Sequence, residues 1–274
     1  MIAALLSISA IAWDGEHVYV ARPGGVDVYR EGKLLRTIAS RQPILGLSVH
    51  GRRLAEAGGR AGEKGEVRIW EGERLLRTVE AHSDLIYRVV WSGDGKTLYT
   101  AGGDKRIGVI EVESGKVDYL EGHTGPVLAL AVRDDLLVSG SADRTIRVWK
   151  DGKLLRAIHN HWDGVHALAF SRDGKYLASG SADRTVRIWQ PEIGRLVRII
   201  REHEGAVLDL AWTDRHLVSA CADGKVRLIS PDGVRIERVL EGHGDWVNAV
   251  CPAGDSLFSG AASGPLRSWG NVTK

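Results

Sequence analysis

Several residue types are scarce in this chain of 274 residues, and each scarcity excludes a class of protein. The only cysteines are Cys221 and Cys251, too few for a disulfide scaffold and too far apart for a Cys-x-x-Cys metal or redox site. No apolar run reaches the roughly 18 residues that cross a bilayer, so we expect no transmembrane helix. Few cysteines and no membrane span favour a reducing, cytoplasmic location.

The chain also lacks an excess of either sign of charge. Lys and Arg number 37 against 35 Asp and Glu, which argues against general coating of nucleic acid. Asn, Gln and Met number three, two and one, and this scarcity of thermolabile residues suggests a thermophilic source. The apolar start, residues 1–13, lacks the basic segment of a secretory signal. Because it fits the repeat described next, we interpret it as a first strand rather than a signal peptide.

What the sequence does contain is a period of about forty residues. The segment 122–149 recurs closely at 160–189, and more loosely elsewhere, down to a degenerate first copy at 8–29. Equivalent closing positions are spaced by 39 to 41 residues, and they are Tyr29, Trp70, Ile110, Trp149, Trp189, Ile229 and Trp269. The period therefore predicts seven structural units.

Each unit predicts four short strands. Alternating Val, Leu, Ile and Ala are separated by turn sequences such as residues 92–96 and 171–175, and no unit has an apolar stripe of helical period. A four-stranded sheet cannot bury both of its faces alone, whereas sheets stacked around an axis can. We therefore predict an all-β fold: a seven-bladed β-propeller of four-stranded antiparallel blades, formed as one domain by residues 1–274.

Polar residues recur at fixed offsets within the units. Two units carry a complete set of His, Ser, Asp and Trp, namely His123, Ser139, Asp143, Trp149 and His161, Ser179, Asp183, Trp189. With this set the chain resembles the WD-repeat family over essentially its whole length, although the Trp-Asp dipeptide itself is absent. The resemblance implies that the four residues form a buried hydrogen-bonded chain in each blade. Because a hydrolase triad occurs once per active site, a set that recurs every forty residues is interpreted as structural.

The resemblance also implies where partners bind: the face on which loops run from the outer strand of one blade to the inner strand of the next. The positions three and five residues after each repeat histidine point there. The candidates are Leu45, Leu85, Tyr87, Leu128, His166, Leu208, Trp246 and Asn248. Apolar surface that includes Trp and Tyr is typical of protein and peptide interfaces. The alternative is that neighbouring loops cover these side chains.

Two further sets of charged residues lead to separate predictions. One place beyond the rim positions, the inner strands have small residues in every unit except the third and the sixth, which have Arg88 and Asp209. We expect these two side chains to project toward the central channel and to bind waters, an anion or each other through solvent. Arginines two places before the strand ends, such as Arg187 and Arg227, are expected to form surface ladders on the sheets.

The favoured function is a non-catalytic scaffold, monomeric alone and without a cofactor or metal, that binds proteins or peptides on the loop face. One alternative is a propeller that binds a small molecule or hydrolyses a substrate at the channel. Another is an RNA-associated scaffold, which the low net charge disfavours. Two closures of the ring are open: residues Ile2–Leu6 add a fourth strand to the last blade, or that blade has three strands.

Overall fold

The computed structural model describes residues 7–270, and this part of the chain contains 27 strands and no helix. It accordingly offers no helical segment that could span a membrane. The strands, in chain order, are β1 (Ala10–Trp13), β2 (Val18–Arg22), β3 (Gly25–Arg30), β4 (Lys33–Ala39), β5 (Ile44–His50), β6 (Arg53–Arg60), β7 (Lys64–Glu71), β8 (Arg74–His82), β9 (Ile86–Trp91), β10 (Thr97–Gly102), β11 (Ile107–Glu111), β12 (Val117–Leu120), β13 (Val127–Arg133), β14 (Leu136–Ser141), β15 (Ile146–Lys150), β16 (Lys153–Ile158), β17 (Val165–Phe170), β18 (Leu177–Ser181), β19 (Val186–Gln190), β20 (Arg195–Ile200), β21 (Val207–Trp212), β22 (Leu217–Cys221), β23 (Val226–Ile229), β24 (Ile236–Leu240), β25 (Val247–Ala253), β26 (Ser256–Ala261) and β27 (Arg267–Trp269).

These strands form seven antiparallel sheets, one for each forty-residue unit. Six sheets have four strands that follow chain order, β1 to β4 in the first blade and β21 to β24 in the sixth. Among the described residues the last sheet has three, β25 to β27. The predicted all-β propeller of seven blades is therefore confirmed.

The core lies between the blades. One cluster combines Val186, Ile188 and Ile200 of the fifth blade with Val207 and Leu217 of the sixth. Burying such side chains stabilises the fold by about 1.5–3 kcal/mol each, and neither sheet could do so alone. Stacking of neighbours is therefore what makes each blade stable.

Polar contacts also join neighbouring blades. Trp91 Nε1 donates to the Ser48 carbonyl and Trp212 Nε1 to the Ala169 carbonyl, both at 3.1 Å. Where the inner strands converge, backbones come close: a Cβ on Gly46 would lie 3.1 Å from the Cα of Arg88. The packing around the channel therefore requires a small residue at Gly46.

The ring closes through contacts between its first and last blades. The Ile8 amide donates to the Ala261 carbonyl at 2.9 Å, and Asn248 Nδ2 donates to the Ile8 carbonyl at 3.1 Å. The fourth strand predicted from Ile2–Leu6 lies outside the described residues.

Candidate functional site

The polar sets of the fourth and fifth blades form continuous hydrogen-bonded chains. In the fifth blade His161 Nδ1 lies 2.8 Å from Asp183 Oδ2, His161 Nε2 lies 2.7 Å from Ser179 Oγ, and Trp189 Nε1 lies 2.8 Å from the same hydroxyl. The fourth blade repeats this arrangement with His123 bonded to Asp143 and Ser139, and with Trp149 donating to Ser139 at 2.9 Å. Each chain links the loop at the start of a blade to the second and third strands of that blade.

The direction of this chain follows from what each group can do. An indole N–H only donates, so Ser179 Oγ accepts from Trp189 and gives its own proton to His161 Nε2. The imidazole must then carry its proton on Nδ1, facing Asp183. Burial lowers the pKa of His161 and outweighs the nearby carboxylate, which keeps the ring neutral. Burial alone would raise the pKa of Asp183, but hydrogen bonds from His161, Thr185 and the Trp162 amide bring it well below its usual range.

The same geometry answers the question of catalysis at the Ser–His–Asp sets. Ser139 and Ser179 are completely buried, and each hydroxyl is already bonded to an indole and an imidazole. A hydrolase nucleophile must be reached by its substrate. These hydroxyls have no path to one and serve to hold the blades together.

Departures from the set occur in the other blades. In the sixth blade Arg227 Nη2 lies 2.7 Å from Asp223, and His203 keeps Ser219 at 2.9 Å while its buried Nδ1 has no partner among residues 7–270. Burial lowers the pKa of His203 to about 4. The prediction that Arg187 and Arg227 lie on the surface is wrong. Both are buried because each guanidinium turns inward to the aspartate four residues before it.

The second blade replaces the set with a buried carboxylate. Glu56 is completely buried, accepts from Ser40 Oγ at 3.0 Å and lies 3.6 Å from Arg68 Nη1. Burial raises its pKa, and the hydrogen bond from Ser40 and the charge of Arg68 oppose the rise. This network was not found from the sequence, although Ser40 at the histidine position was visible there.

A direct ion pair spans the central channel. Arg88 Nη2 lies 2.6 Å from Asp209 Oδ1, joining β9 of the third blade to β21 of the sixth across the ring. Asp209 Oδ2 also accepts from the Val250 amide at 3.1 Å. Contact between the two side chains was expected through solvent; the observed pairing is direct. Each charge is therefore balanced by the other.

The loop face carries the predicted rim residues. We define this face as the loops at 40–43, 83–85, 124–126, 162–164, 204–206 and 244–246, together with the turns at 23–24, 61–63, 103–106, 142–145, 182–185, 222–225 and 262–265. Trp246 is 58% exposed, whereas the other rim residues are half-buried, namely Leu45, Leu85, Tyr87, Leu128, His166, Leu208 and Asn248. The Asn248 amide is engaged in closing the ring. The rim is thus only partly exposed.

A second tryptophan on this face was missed from the sequence. Trp162, the residue directly after His161, is 82% exposed. The other blades have Leu5, Arg41, Ser83, Thr124, Glu204 and Gly244 at this place, so an aromatic residue breaks the repeat and was the available signal. Only its backbone is held, because the Trp162 amide donates a hydrogen bond to Asp183 Oδ2 at 3.0 Å. The free indole is therefore available to a partner.

The circumference presents a second apolar surface. Outer strands β4, β8 and β16 each have a bulge after their hairpin turn, and consecutive leucines there point outward together, the most exposed being Leu34 at 54%. The pairs are Leu34 with Leu35, Leu75 with Leu76, and Leu154 with Leu155. Their recurrence at one bulge in three blades ties them to the architecture, unlike Trp162.

Comparison with known proteins agrees with this geometry. The family model described as WD domain, G-beta repeat, matches residues 73–110, 115–150, 152–190, 194–230 and 235–269, about two thirds of the chain. The chain belongs to the WD-repeat family. The residues before 73 fall outside the match. They hold the first blade and strands β5 to β7 of the second, where the Ser40–Glu56–Arg68 network stands in place of the His–Ser–Asp contacts.

Relatives of this WD-repeat chain are larger proteins. It is 35% identical over 91 residues to mitochondrial division protein 1 of Pyricularia oryzae, 29% over 176 residues to nuclear distribution protein nudF of Aspergillus niger, and 39% over 107 residues to eukaryotic translation initiation factor 3 subunit I of Neurospora crassa. These matches cover 32%, 53% and 36% of this chain and 14%, 39% and 30% of the relatives. The WD40 propeller domain of Doa1 superposes with a TM-score of 0.85 at 18% identity, covering 96% of this chain and 92% of that one, which shows the shared fold.

Proposed function

We propose that this WD-repeat chain is a non-catalytic scaffold that docks a protein or peptide segment on its loop face. The observation that carries the proposal is the exposure of Trp162 and Trp246 there, at 82% and 58%. Tryptophan is the residue type most enriched among energetically dominant interface positions. Water contact over so much indole surface is unfavourable unless a partner covers it.

The rim around these tryptophans supports docking of a chain rather than of a small molecule. The aspartates of the polar sets are preceded by small residues, namely Ala142, Ala182 and Ala222. Half-buried Leu128 and Leu208 lie on the first strands of their blades, closer to the central channel. Between the first two blades a cavity of about 490 Å³ is lined by Pro23, Pro43 and Leu45 among others. Shallow apolar hollows on one rigid face suit the alternate side chains of a bound segment.

The channel supports the alternative function less well. Arg88 and Asp209, the charged residues predicted for the channel, pair with each other at 2.6 Å. Among residues 7–270 no group of three or more His, Cys, Asp or Glu side chains has the geometry to hold a metal. The name of one relative, a subunit of a translation initiation factor, describes membership of a larger assembly, and by analogy we propose that this chain also works within one.

The test is affinity capture from an extract of the source organism with three versions of the protein. The loop-face variant carries Trp162→Ala and Trp246→Ala. The control variant carries Leu35→Ala and Leu155→Ala, which remove comparable exposed apolar surface from the circumference. We expect the loop-face variant to lose proteins that the wild type and the control both retain.

Identical captured proteins from all three versions would dismiss the loop face as the docking surface. Loss only with the leucine variant would move the interface to the circumference. The cytoplasmic location, the thermophilic source and the monomeric state stay predictions from composition.

A further inference from the structure

Non-glycine residues in the left-handed backbone region divide by charge between the two faces of the ring. Six such residues occur among the described ones. Glu31, Asp134 and Asp151, on hairpin turns of the opposite face, are acidic. Those on the loop face are basic, namely Lys105 at φ 73°, Arg144 at 70° and Arg184 at 65°. Each follows the aspartate that lies 2.8 Å from the repeat histidine of its blade, Asp104, Asp143 or Asp183. We call these three residues the basic arc.

The arc places long cationic side chains where the backbone favours glycine. The sixth and seventh blades have Gly224 and Gly264 in the same turn, with φ of 80° and 96°. Glycine adopts this conformation without steric cost, whereas a side chain with a Cβ is strained in it. Strain of this kind is most often found where a functional constraint maintains it. The turn therefore forms without a cation in the sixth and seventh blades.

The arc is exposed and unengaged. Lys105, Arg144 and Arg184 are all solvent-exposed, and none of their side chains forms a hydrogen bond or ion pair with any residue of 7–270. Other exposed turn cations divide: Lys116 pairs with Asp118 at 2.8 Å, whereas Arg41 and Arg52 have no side-chain partner among residues 7–270. Three neighbouring cations without counter-charges form a local positive surface on a molecule of net charge only +2.

The arc lies beside the exposed indole. Asp183, which precedes Arg184, accepts from the Trp162 amide at 3.0 Å. Ala142, two residues before Arg144, has its Cα 3.4 Å from the point that a Cβ on Gly164 would occupy. Two of the three cationic turns therefore contact the loop that carries Trp162, from the same blade and from the preceding one.

We propose that the partner segment is acidic, with carboxylates that pair with the basic arc and an apolar side chain that packs on Trp162. This inference rests on the proposed function, because it assigns a chemistry to what the loop face docks. The small methyl side chain of Ala142 and the lack of a side chain at Gly164 leave room for the apolar anchor beside Trp162. Exposed charge pairs contribute orientation and association rate as well as affinity.

A peptide fits this surface better than a nucleic acid. Asp163 is exposed next to Trp162, and Asp84 lies in the loop of the third blade, its Oδ2 2.8 Å from the Cβ position of Gly103. A nucleic acid carries a phosphate at every step and would meet these carboxylates. A peptide can place apolar residues there and carboxylates only at the cations.

The test is selection from a random library of phage-displayed 12-residue peptides. The arc variant carries Lys105→Gly, Arg144→Gly and Arg184→Gly, which place the glycine of the sixth and seventh blades in all three turns. The matched control carries Glu31→Gly, Asp134→Gly and Asp151→Gly, which relieve the same kind of strain on the opposite face. A third variant carries Trp162→Ala with Trp246→Ala. Melting temperatures check that all variants fold.

We expect the wild type and the control to enrich peptides rich in Asp and Glu that also contain an apolar residue. Synthetic peptides from that pool should bind the arc variant about tenfold more weakly, and binding to the wild type should weaken as salt is added. Peptides without acidic enrichment, or equal affinity for the arc variant, would overturn the acidic chemistry while leaving the loop face as a docking site. Selected peptides that bind the tryptophan variant as well as the wild type would instead overturn the proposed function. Wild-type binding to a random single-stranded RNA 12-mer, lost in the arc variant, together with no selected peptide, would assign the arc to nucleic acid.

Discussion

The Asp183→Ala variant tests directly whether the buried polar chains hold the blades together. The Asp183 carboxylate lies 2.8 Å from His161 Nδ1, 2.6 Å from Thr185 Oγ1 and 3.3 Å from Arg187 Nη2. Its side chain is only 6% exposed, as is that of Arg187, and His161 is more deeply buried. Alanine leaves these donors without an acceptor and out of reach of water.

The expected cost follows from those contacts. A buried donor that loses its partner costs about 1–3 kcal/mol, and removing one member of a buried ion pair costs about 3–5 kcal/mol. The Trp162 amide lies in an exposed loop and can bond water instead, so it adds little. Because these effects share one carboxylate they do not add fully, and we expect the free energy of unfolding to fall by about 3–5 kcal/mol.

Urea unfolding followed by tryptophan fluorescence and by circular dichroism measures this change. The matched control is Asp173→Ala in the same blade. Asp173 accepts from Ser171 Oγ at 2.7 Å and from the Lys175 amide at 3.1 Å, but its side chain is 51% exposed. We expect the control to lose less than about 1 kcal/mol. A loss for Asp183→Ala no larger than that of the control would refute the structural role of the chains.

Three further predictions concern buried charge. A double-mutant cycle on Arg88→Met and Asp209→Asn should give a coupling energy of about 1 kcal/mol or more in melting experiments; additive effects would contradict a direct pair across the channel. Because the folded pKa of His203, about 4, lies below the usual 6.5, the unfolded chain binds the extra proton between these values. The free energy of unfolding should therefore fall as the pH drops from 6.5 to 4, with a smaller slope in His203→Gln; equal slopes would argue that His203 titrates normally. The raised pKa of Glu56 has the opposite sign, so its contribution is lost as the pH rises above about 4.5, and Glu56→Gln should gain stability relative to the wild type from pH 4.5 to 7; a constant difference would contradict the raised pKa.

The fold was largely predictable because the repeat makes the same prediction seven times. Strand periodicity, turn residues and the forty-residue spacing each indicate a blade, and the errors of one unit are corrected by its neighbours. The weaker predictions concern residues that leave the repeat. Arg187 and Arg227 were predicted to lie on the surface because arginine is rarely buried. In the folded chain each is buried and pairs with the aspartate four residues before it.

The candidate site was predictable by position and not by exposure. Trp246 was named from its place three residues after a repeat histidine and is exposed, whereas Leu85, at the equivalent place in the third blade, is half-buried. The exposure of a rim side chain depends on how the neighbouring blades pack around it, and the sequence of a single unit does not contain that information. Trp162 was passed over because its place in the repeat predicted no contact.

The sequence by itself determined the number of blades, the strand order and the residues of the polar chains, because these depend on local pattern repeated at a fixed period. Only the tertiary structure decided which side chains meet across the ring. Arg88 and Asp209 are separated by 121 positions and pair because the third and sixth blades face each other when seven units close. It also decided that Lys105, Arg144 and Arg184 share one face with Trp162. Such contacts arise from the geometry of closure, which is a property of the assembled ring and of no individual repeat.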